Sequence, residues 1–485
     1  MSRSHLVLPH STRAGCKLYG MSIDSGPGKV EPVTAKQNSK ASAWAVVAVG
    51  LAFVVFAARM FVLISRYAVN IFFSDQWDFN DATLFHHHSL WQIFTWQHGP
   101  HRQGVGGLFE KLVDSMFLWN SRTESFFVGG VIVTAALFAL YLKRRLFGEL
   151  SVTDVVIPAI LFIPAQWETL FVTANFAHGP FPLLLLLLYC LSWTLRKRAL
   201  RYPLVLILNF VTIYTGFGLF LGVLTPALLL FDHWSETPAN RLPMAHFVTT
   251  LVIALLSLGS FFLGYRFYPA MDCFSIQPFR PKVYAAFVDL MFASQFSIKG
   301  THGPYLILGG MVLVGVLIAL AFAVLRLLRR QTGEIATSGS TGQLAILAMT
   351  AYSLLFCLNT AYGRQCGGLL LALSSRYVIY VEPALLGVYF QVLNVRQQYV
   401  RKSLLFGFLL AVVVASFRAD RPEMEHIRRI KQTWKTCYLQ TEDTQQCDKA
   451  AGYPIHGLTP VEPGHLEEKL RYLKQTHTNL YSDSK

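Results

Sequence analysis

Apolar segments of roughly 18 residues or more recur along most of this chain, each able as a helix to cover about 30 Å of hydrocarbon with its backbone hydrogen bonds satisfied internally. Of the 485 residues 53% are hydrophobic and 14% charged, with a mean hydropathy of +0.42. A soluble globular domain does not have that balance. The expectation is an all-α polytopic membrane protein of about eleven spans, near 43–65, 126–142, 155–173, 176–195, 202–216, 217–231, 245–265, 304–328, 343–362, 377–395 and 403–417. The pair 202–231 is short in each half, and "TGFG" at Thr215–Gly218 breaks it, so it reads as a tight hairpin or one kinked helix.

Charge arbitrates between those two readings. The formal net charge is +15, from 42 Lys and Arg against 27 Asp and Glu, yet the basic residues sit in short clusters between spans rather than on one soluble face. No nucleic-acid partner is expected. With the N-terminus cytoplasmic after Lys29, Lys36 and Lys40, the clusters Lys143-Arg144-Arg145, Arg196-Lys197-Arg198, Arg326-Arg329-Arg330 and Arg396-Arg401-Lys402 all fall on the inner side. Merging the pair destroys that agreement, which favours two crossings.

Residues 1–42 are polar, lack the short apolar core of a removable signal peptide, and read as a disordered cytoplasmic segment in which Met21 is an alternative start. The transmembrane domain then covers 43–417. Its first outer loop is 66–125, its second 266–303, and an outer tail runs over 418–485. The stretch 332–343, "TGEIATSGSTGQ", reads as a flexible inner linker. Cys190, Cys273, Cys357 and Cys366 lie in or near apolar segments and read as lone thiols, whereas Cys437 and Cys447 can form a disulfide if the tail faces an oxidising compartment.

Four constellations carry chemistry. "SDQWDF" at Ser74–Phe79 places Asp75 and Asp78 three residues apart, one able to act as general base and the other to orient it or hold a cation. The bland reading makes Ser74 or Asp75 an N-cap and Trp77 an interfacial aromatic. "WQHGPHRQG" offers His98 and His101 in an H-x-x-H spacing, but Gly99 and Pro100 between them argue against a helical metal site. His86–His88 reads as a polar interfacial turn. Arg102 suits a phosphate, or equally a lipid headgroup. "YGRQCGGLLLALSSRYVIY" brings Arg364, Ser375, Arg376 and Tyr377 to the outer side, where an anion cradle competes with snorkelling arginines. Glu168, with Asn175 and His178 after it, lies in an apolar stretch where an ionisable group costs about 2.5–3.5 kcal/mol, so it needs a partner or water.

Taken together these residues resemble the GT-C superfold of glycosyltransferases, and in particular a related group of largely uncharacterised bacterial membrane proteins. The likeness rests on "SDQWDF" directly after the first span, His101-Arg102 in the same loop, "QWETLF" at 166–171, Gly363-Arg364 with Ser374–Tyr377, and a tail with paired cysteines followed by "LEEKLRYLKQTHTNLY". Pro100 stands where that group often has an acid. The resemblance implies inverting transfer of a sugar from a polyprenyl-phosphate carrier to a glycan, lipid or protein acceptor on the outer side of the bacterial cytoplasmic membrane. Asp75 and Asp78 are then the catalytic acids, Glu168 a support, and His101, Arg102, Arg364, Ser375, Arg376 and Tyr377 the carrier-phosphate site. It fixes no cofactor and leaves a divalent cation as a candidate. The rival reading is a transporter or flippase for an amphipathic anion, its arginines lining a pathway. A non-catalytic scaffold is a third.

Overall fold

The computed structural model describes residues 34–86, 88–235, 241–267, 280–330, 340–456 and 465–484. The N-terminal 33 residues, His87, Cys273 and most of the 332–343 linker lie outside them. Among the described residues the chain is all-α apart from one two-stranded hairpin. In order, the helices are α1 (Thr34–Tyr67), α2 (Gln76–Phe79), α3 (Leu90–Thr95), α4 (Gly104–Met116), α5 (Ser121–Phe147), α6 (Val156–Leu161), α7 (Pro180–Trp193), α8 (Arg198–Ile213), α9 (Leu219–Ser235) and α10 (Met244–Ser260). They continue as α11 (Pro281–Ala293), α12 (Gly303–Arg330), α13 (Ser340–Arg364), α14 (Val378–Leu393), α15 (Gln398–Phe417), α16 (Arg421–Thr441), α17 (Thr444–Ala451) and α18 (Leu466–Thr476). Strands β1 (Gln97–His98) and β2 (His101–Arg102) form the hairpin.

Among the described residues, five helical stretches are long and apolar enough to cross a bilayer: Ala43–Tyr67, Ser121–Phe147, Gly303–Arg329, Thr341–Gly367 and the one that starts at Gln398. Their outward faces stay apolar, as at Leu51, Val54 and Val62 of α1 or Ile307, Met311 and Val314 of α12. A soluble monomer rarely exposes such area, and lipid covers it without cost. The apolar helices over Pro180–Trp193, Leu219–Ser235 and Met244–Ser260 are shorter.

The expected span near 155–173 is not one helix. It is α6 followed by a 3-10 turn at Pro164–Gln166 and a π turn at Glu168–Val172. Pro164 lacks the N–H that a continuing helix needs, and it holds Ile163 extended. The segment is buried from Val156 to Gln166, so its interrupted backbone is shielded by protein rather than lipid. The second outer loop also departs from expectation. Pro281–Ala293 is a helix whose Phe287, Leu290, Met291 and Phe292 are buried against the bundle.

The doubtful pair resolves into α8 and α9, separate helices joined at "TGFG". Gly216 has φ +55° and a Cβ there would lie 2.1 Å from the Ala177 carbonyl oxygen; at Gly218 it would lie 1.7 Å from that of Thr212. Only glycine fits both places. The Gly216 N–H donates to Arg102 O at 2.8 Å, tying this turn to β2.

α5 runs about 40 Å from end to end. Near its last turns the basic clusters gather: Arg145 donates to Thr194 O, Lys143 pairs with buried Asp154 at 2.7 Å, and Arg326 donates to Asn394 O. At its first turn, Ser121 N–H donates to Asn70 Oδ1, and Asn479 of the tail reaches both Trp119 O and Ser121. The first loop, the α13–α14 connection and the tail therefore share the end opposite the basic clusters. The tail is mainly helical, with Cys437 and Cys447 disulfide-bonded across α16 and α17, Cα atoms 5.5 Å apart. Cys190 and Cys357 are buried free thiols, but Cys366 is disulfide-bonded rather than lone.

Candidate functional site

Past α1 the chain reaches Ser74, whose φ of +51° is a left-handed conformation costly for a residue with a Cβ. Its N–H donates to Ile455 O of the tail at 2.8 Å, which holds the turn. Gln76 anchors the other side by donating to Ala174 O at 2.9 Å and Glu124 Oε2 at 3.3 Å. Trp77 is fully buried against Phe72 and is not an interfacial aromatic. Asp75 occupies the cap position of α2, yet its carboxylate makes no capping bond. Instead Oδ2 lies 3.1 Å from Arg376 Nη1, and Oδ1 accepts from Ser74 Oγ at 3.3 Å.

Arg376 is delivered by the turn between α13 and α14, and Glu168 shapes that turn. Glu168 Oε2 accepts from Ser374 Oγ at 2.8 Å and from the Arg376 N–H at 2.9 Å, while the Glu168 N–H donates to Ser375 Oγ at 3.0 Å. "QWETLF" and "SSRY" are thus one structural unit. The break in the 155–173 segment is what frees the Glu168 backbone to make these bonds.

The hairpin turns at Gly99 and Pro100, so His98 and His101 face each other across the ladder. His101 Nε2 meets His178 Nε2 in a short hydrogen bond, one imidazole donating and the other accepting. Arg102 points away from this group. Its guanidinium donates to the carbonyls of Thr95, Phe261 and Leu263 between the rings of Tyr214 and Phe261. With those donors occupied by backbone, Arg102 is a buried clamp on the hairpin and is not placed to hold a phosphate.

A cavity of about 220 Å³ opens between these parts. Asp75 and Arg376 form one wall with Arg364 and Tyr377. His98, His101 and His178 also line it, together with Phe217, Phe220 and Tyr265, the Phe217 ring lying 4.9 Å from that of His101. Arg364 makes no hydrogen bond or ion pair with any described residue.

Burial alone raises the Asp75 pKa, but the Arg376 guanidinium, His98, the Ser74 hydroxyl and Arg364 outweigh it and hold the carboxyl below its ordinary range. For Arg376, burial acts to lower the value, and Tyr377, Asp75 and Glu168 raise it overall. Burial, with smaller contributions from His178 and His98, keeps His101 well below the usual histidine value. The site thus joins two guanidinium groups, an ionised carboxylate and a neutral imidazole.

Asp78 does not join Asp75. It turns toward the tail, 3.6 Å from His456 Nε2 and 3.8 Å from Lys469 Nζ, while Lys469 also reaches Asp81 Oδ1 at 2.7 Å and Trp77 O at 2.9 Å. Ser375 supports the turn and Tyr377 lines the cavity. Among the described residues no three His, Cys, Asp or Glu side chains are arranged to hold a metal ion. His86 is exposed, its Nδ1 near Asp81 O.

A second layer was not flagged in the sequence. Glu110 and Asp114 of α4 and Glu124 of α5 are buried behind Gln76, with Glu110 accepting from Thr83 Oγ1 at 3.2 Å and Asn175 Nδ2 at 3.1 Å. Burial pushes Glu110 up to about 8, so it is largely protonated at neutral pH. Asn175 Oδ1 in turn accepts the His178 N–H, which connects this layer to the cavity wall. The available signal was Glu110 and Asp114 at i, i+4 on one helix face. Comparison with known protein families, curated proteins and solved structures finds no match to this chain.

Proposed function

We propose that this protein is a membrane glycosyltransferase of GT-C type that transfers a sugar from a polyprenyl-phosphate carrier to an envelope acceptor on the extracytoplasmic side of the bacterial cytoplasmic membrane. The supporting observation is the Asp75–Arg376 pair in a cavity that also holds the unengaged Arg364. In this reading all eleven segments cross or re-enter the membrane, the N-terminus is cytoplasmic and the tail is outside.

The cavity is smaller than the roughly 300–1,000 Å³ of pockets that enclose drug-sized ligands. It suits a sugar phosphate head whose prenyl chain stays among lipid. Asp75 takes the proton of the acceptor hydroxyl as its oxygen bonds to the anomeric carbon. The bond from that carbon to the carrier phosphate oxygen breaks, and the electron pair leaves with the phosphate. Arg376 and Arg364 hold the charge that develops there; one such donor is commonly worth about 2.7–4 kcal/mol in the transition state. Glu168 fixes Arg376, and His101 with His178 offers neutral hydrogen bonds to sugar hydroxyls. Asp78 serves by docking the tail, and no step needs a cation.

The test supplies membranes bearing the protein with a panel of radiolabelled polyprenyl-phosphate sugars. Labelled acceptor and free carrier phosphate should form, and Asp75→Asn should abolish both. Absence of transfer from every donor, alongside movement of intact carrier across the membrane, selects the transporter reading. One observation favours that rival: Glu382 in α14 is fully buried with neither carboxyl oxygen hydrogen-bonded among the described residues, and ionisable groups inside transmembrane segments mark substrate or proton pathways.

A further inference from the structure

We propose that Asp75 and the phosphate of the ligand are alternative partners of Arg376, so that carrier binding itself releases the carboxylate to act as base. The inference rests on the transferase reading and adds an order of events to it.

Three observations carry it. First, a guanidinium has five N–H donors, yet the Arg376 side chain engages only Asp75, Nη1 to Oδ2 at 3.1 Å, and the neighbouring Tyr377 among the described residues, and its Nε is buried without a partner among them. Second, the pair is half exposed, with 42% of the Arg376 and 43% of the Asp75 side chain accessible, and such pairs contribute little net stability. Third, Arg364 lines the same cavity and makes no hydrogen bond or ion pair with a described residue, acting on Asp75 only through its charge. A phosphate arriving there finds two guanidinium forks with free donors, and charge-assisted bidentate bonds to phosphate are stronger than one exposed contact to a carboxylate. The Arg376 backbone stays fixed through Glu168, so only the guanidinium needs to swing.

The exchange has a chemical consequence. While Arg376 sits on Asp75, the carboxylate is a poor proton acceptor and the empty site is quiet. Once the guanidinium turns to phosphate, Asp75 loses its principal counter-charge and gains an anionic neighbour, which raises its proton affinity. Basicity thus rises only when the leaving group is in place.

The experiment is a titration of the purified full-length protein in detergent with farnesyl phosphate, using farnesol as the phosphate-free control. Asp75→Asn removes the competitor and should bind farnesyl phosphate about two- to five-fold more tightly, the factor corresponding to an exposed ion pair. Arg376→Ala should bind about ten-fold more weakly or worse. In the double variant the Asn substitution should give no gain, since the coupling runs through Arg376. Farnesol binding should be the same throughout.

If Arg376→Ala weakens binding but Asp75→Asn leaves it unchanged or weaker, the competition is wrong while the anion site stands. A gain that persists in the double variant, or that appears equally with farnesol, also overturns it. If wild type ignores farnesyl phosphate, or Arg376→Ala binds it as wild type does, the transferase reading fails and this proposal with it.

Discussion

Glu168 does not line the cavity that holds Asp75, yet replacing it by alanine should disable the site through geometry. Its carboxylate satisfies the Ser374 hydroxyl and the Arg376 N–H at 2.8 and 2.9 Å. A buried donor left without a partner costs about 1–3 kcal/mol, so losing both bonds sets an upper range of about 2–6 kcal/mol for the turn. Ser374 and Arg376 are partly exposed, and water recovers part of this, which leaves about 1.5–3 kcal/mol. At 1.4 kcal/mol per decade, farnesyl phosphate affinity in Glu168→Ala should fall about 10- to 100-fold. The glutamine variant keeps a carbonyl acceptor and should lose far less. That rescue separates positioning from general damage, because thermal unfolding of the two variants should differ much less than their binding. Wild-type affinity in a folded Glu168→Ala protein would refute the idea that Glu168 sets the Arg376 turn.

Arg102→Lys should lower the thermal midpoint and membrane yield by leaving carbonyls at Phe261 and Leu263 unpaired, about 2–4 kcal/mol, while protein that does fold keeps its farnesyl phosphate affinity. Lys469→Met leaves Asp78 and Asp81 without their buried cation, a change worth about 3–5 kcal/mol at worst, and limited proteolysis should then release the tail. Glu110 holds protons in the folded protein over a range where the unfolded chain has lost them, so stability should fall as pH rises from 4.5 to about 8; Glu110→Gln should flatten that slope in denaturation measured across the range. Alkylation of Cys437 and Cys447 should require reductant, and Cys437→Ser should cost about 2–3 kcal/mol of tail stability from the closed loop alone.

The long apolar stretches, the basic clusters between them, the helix boundary at "TGFG" and the acid just past α1 were legible from residue order. Each depends on local composition or period: a run of apolar residues covers hydrocarbon whatever surrounds it, and a glycine-rich turn breaks a helix from within. The same local reasoning failed at 155–173, where hydropathy registers an apolar run but not the extended residue ahead of Pro164 or the protein that shields the broken backbone. It failed again for side-chain direction. Asp75 and Asp78 look equivalent in "SDQWDF", but one meets Arg376, 301 positions away, and the other meets the tail. Arg102 and Arg376 both look like phosphate ligands, and carbonyls at Phe261 and Leu263 claim the first. What the sequence alone determined is which residues can be charged near a bilayer surface. Which of them are consumed in holding the fold, and which keep donors free for a ligand, only the tertiary structure decided, because an N–H committed to a carbonyl is not free for a ligand and that carbonyl arrives from a distant part of the chain.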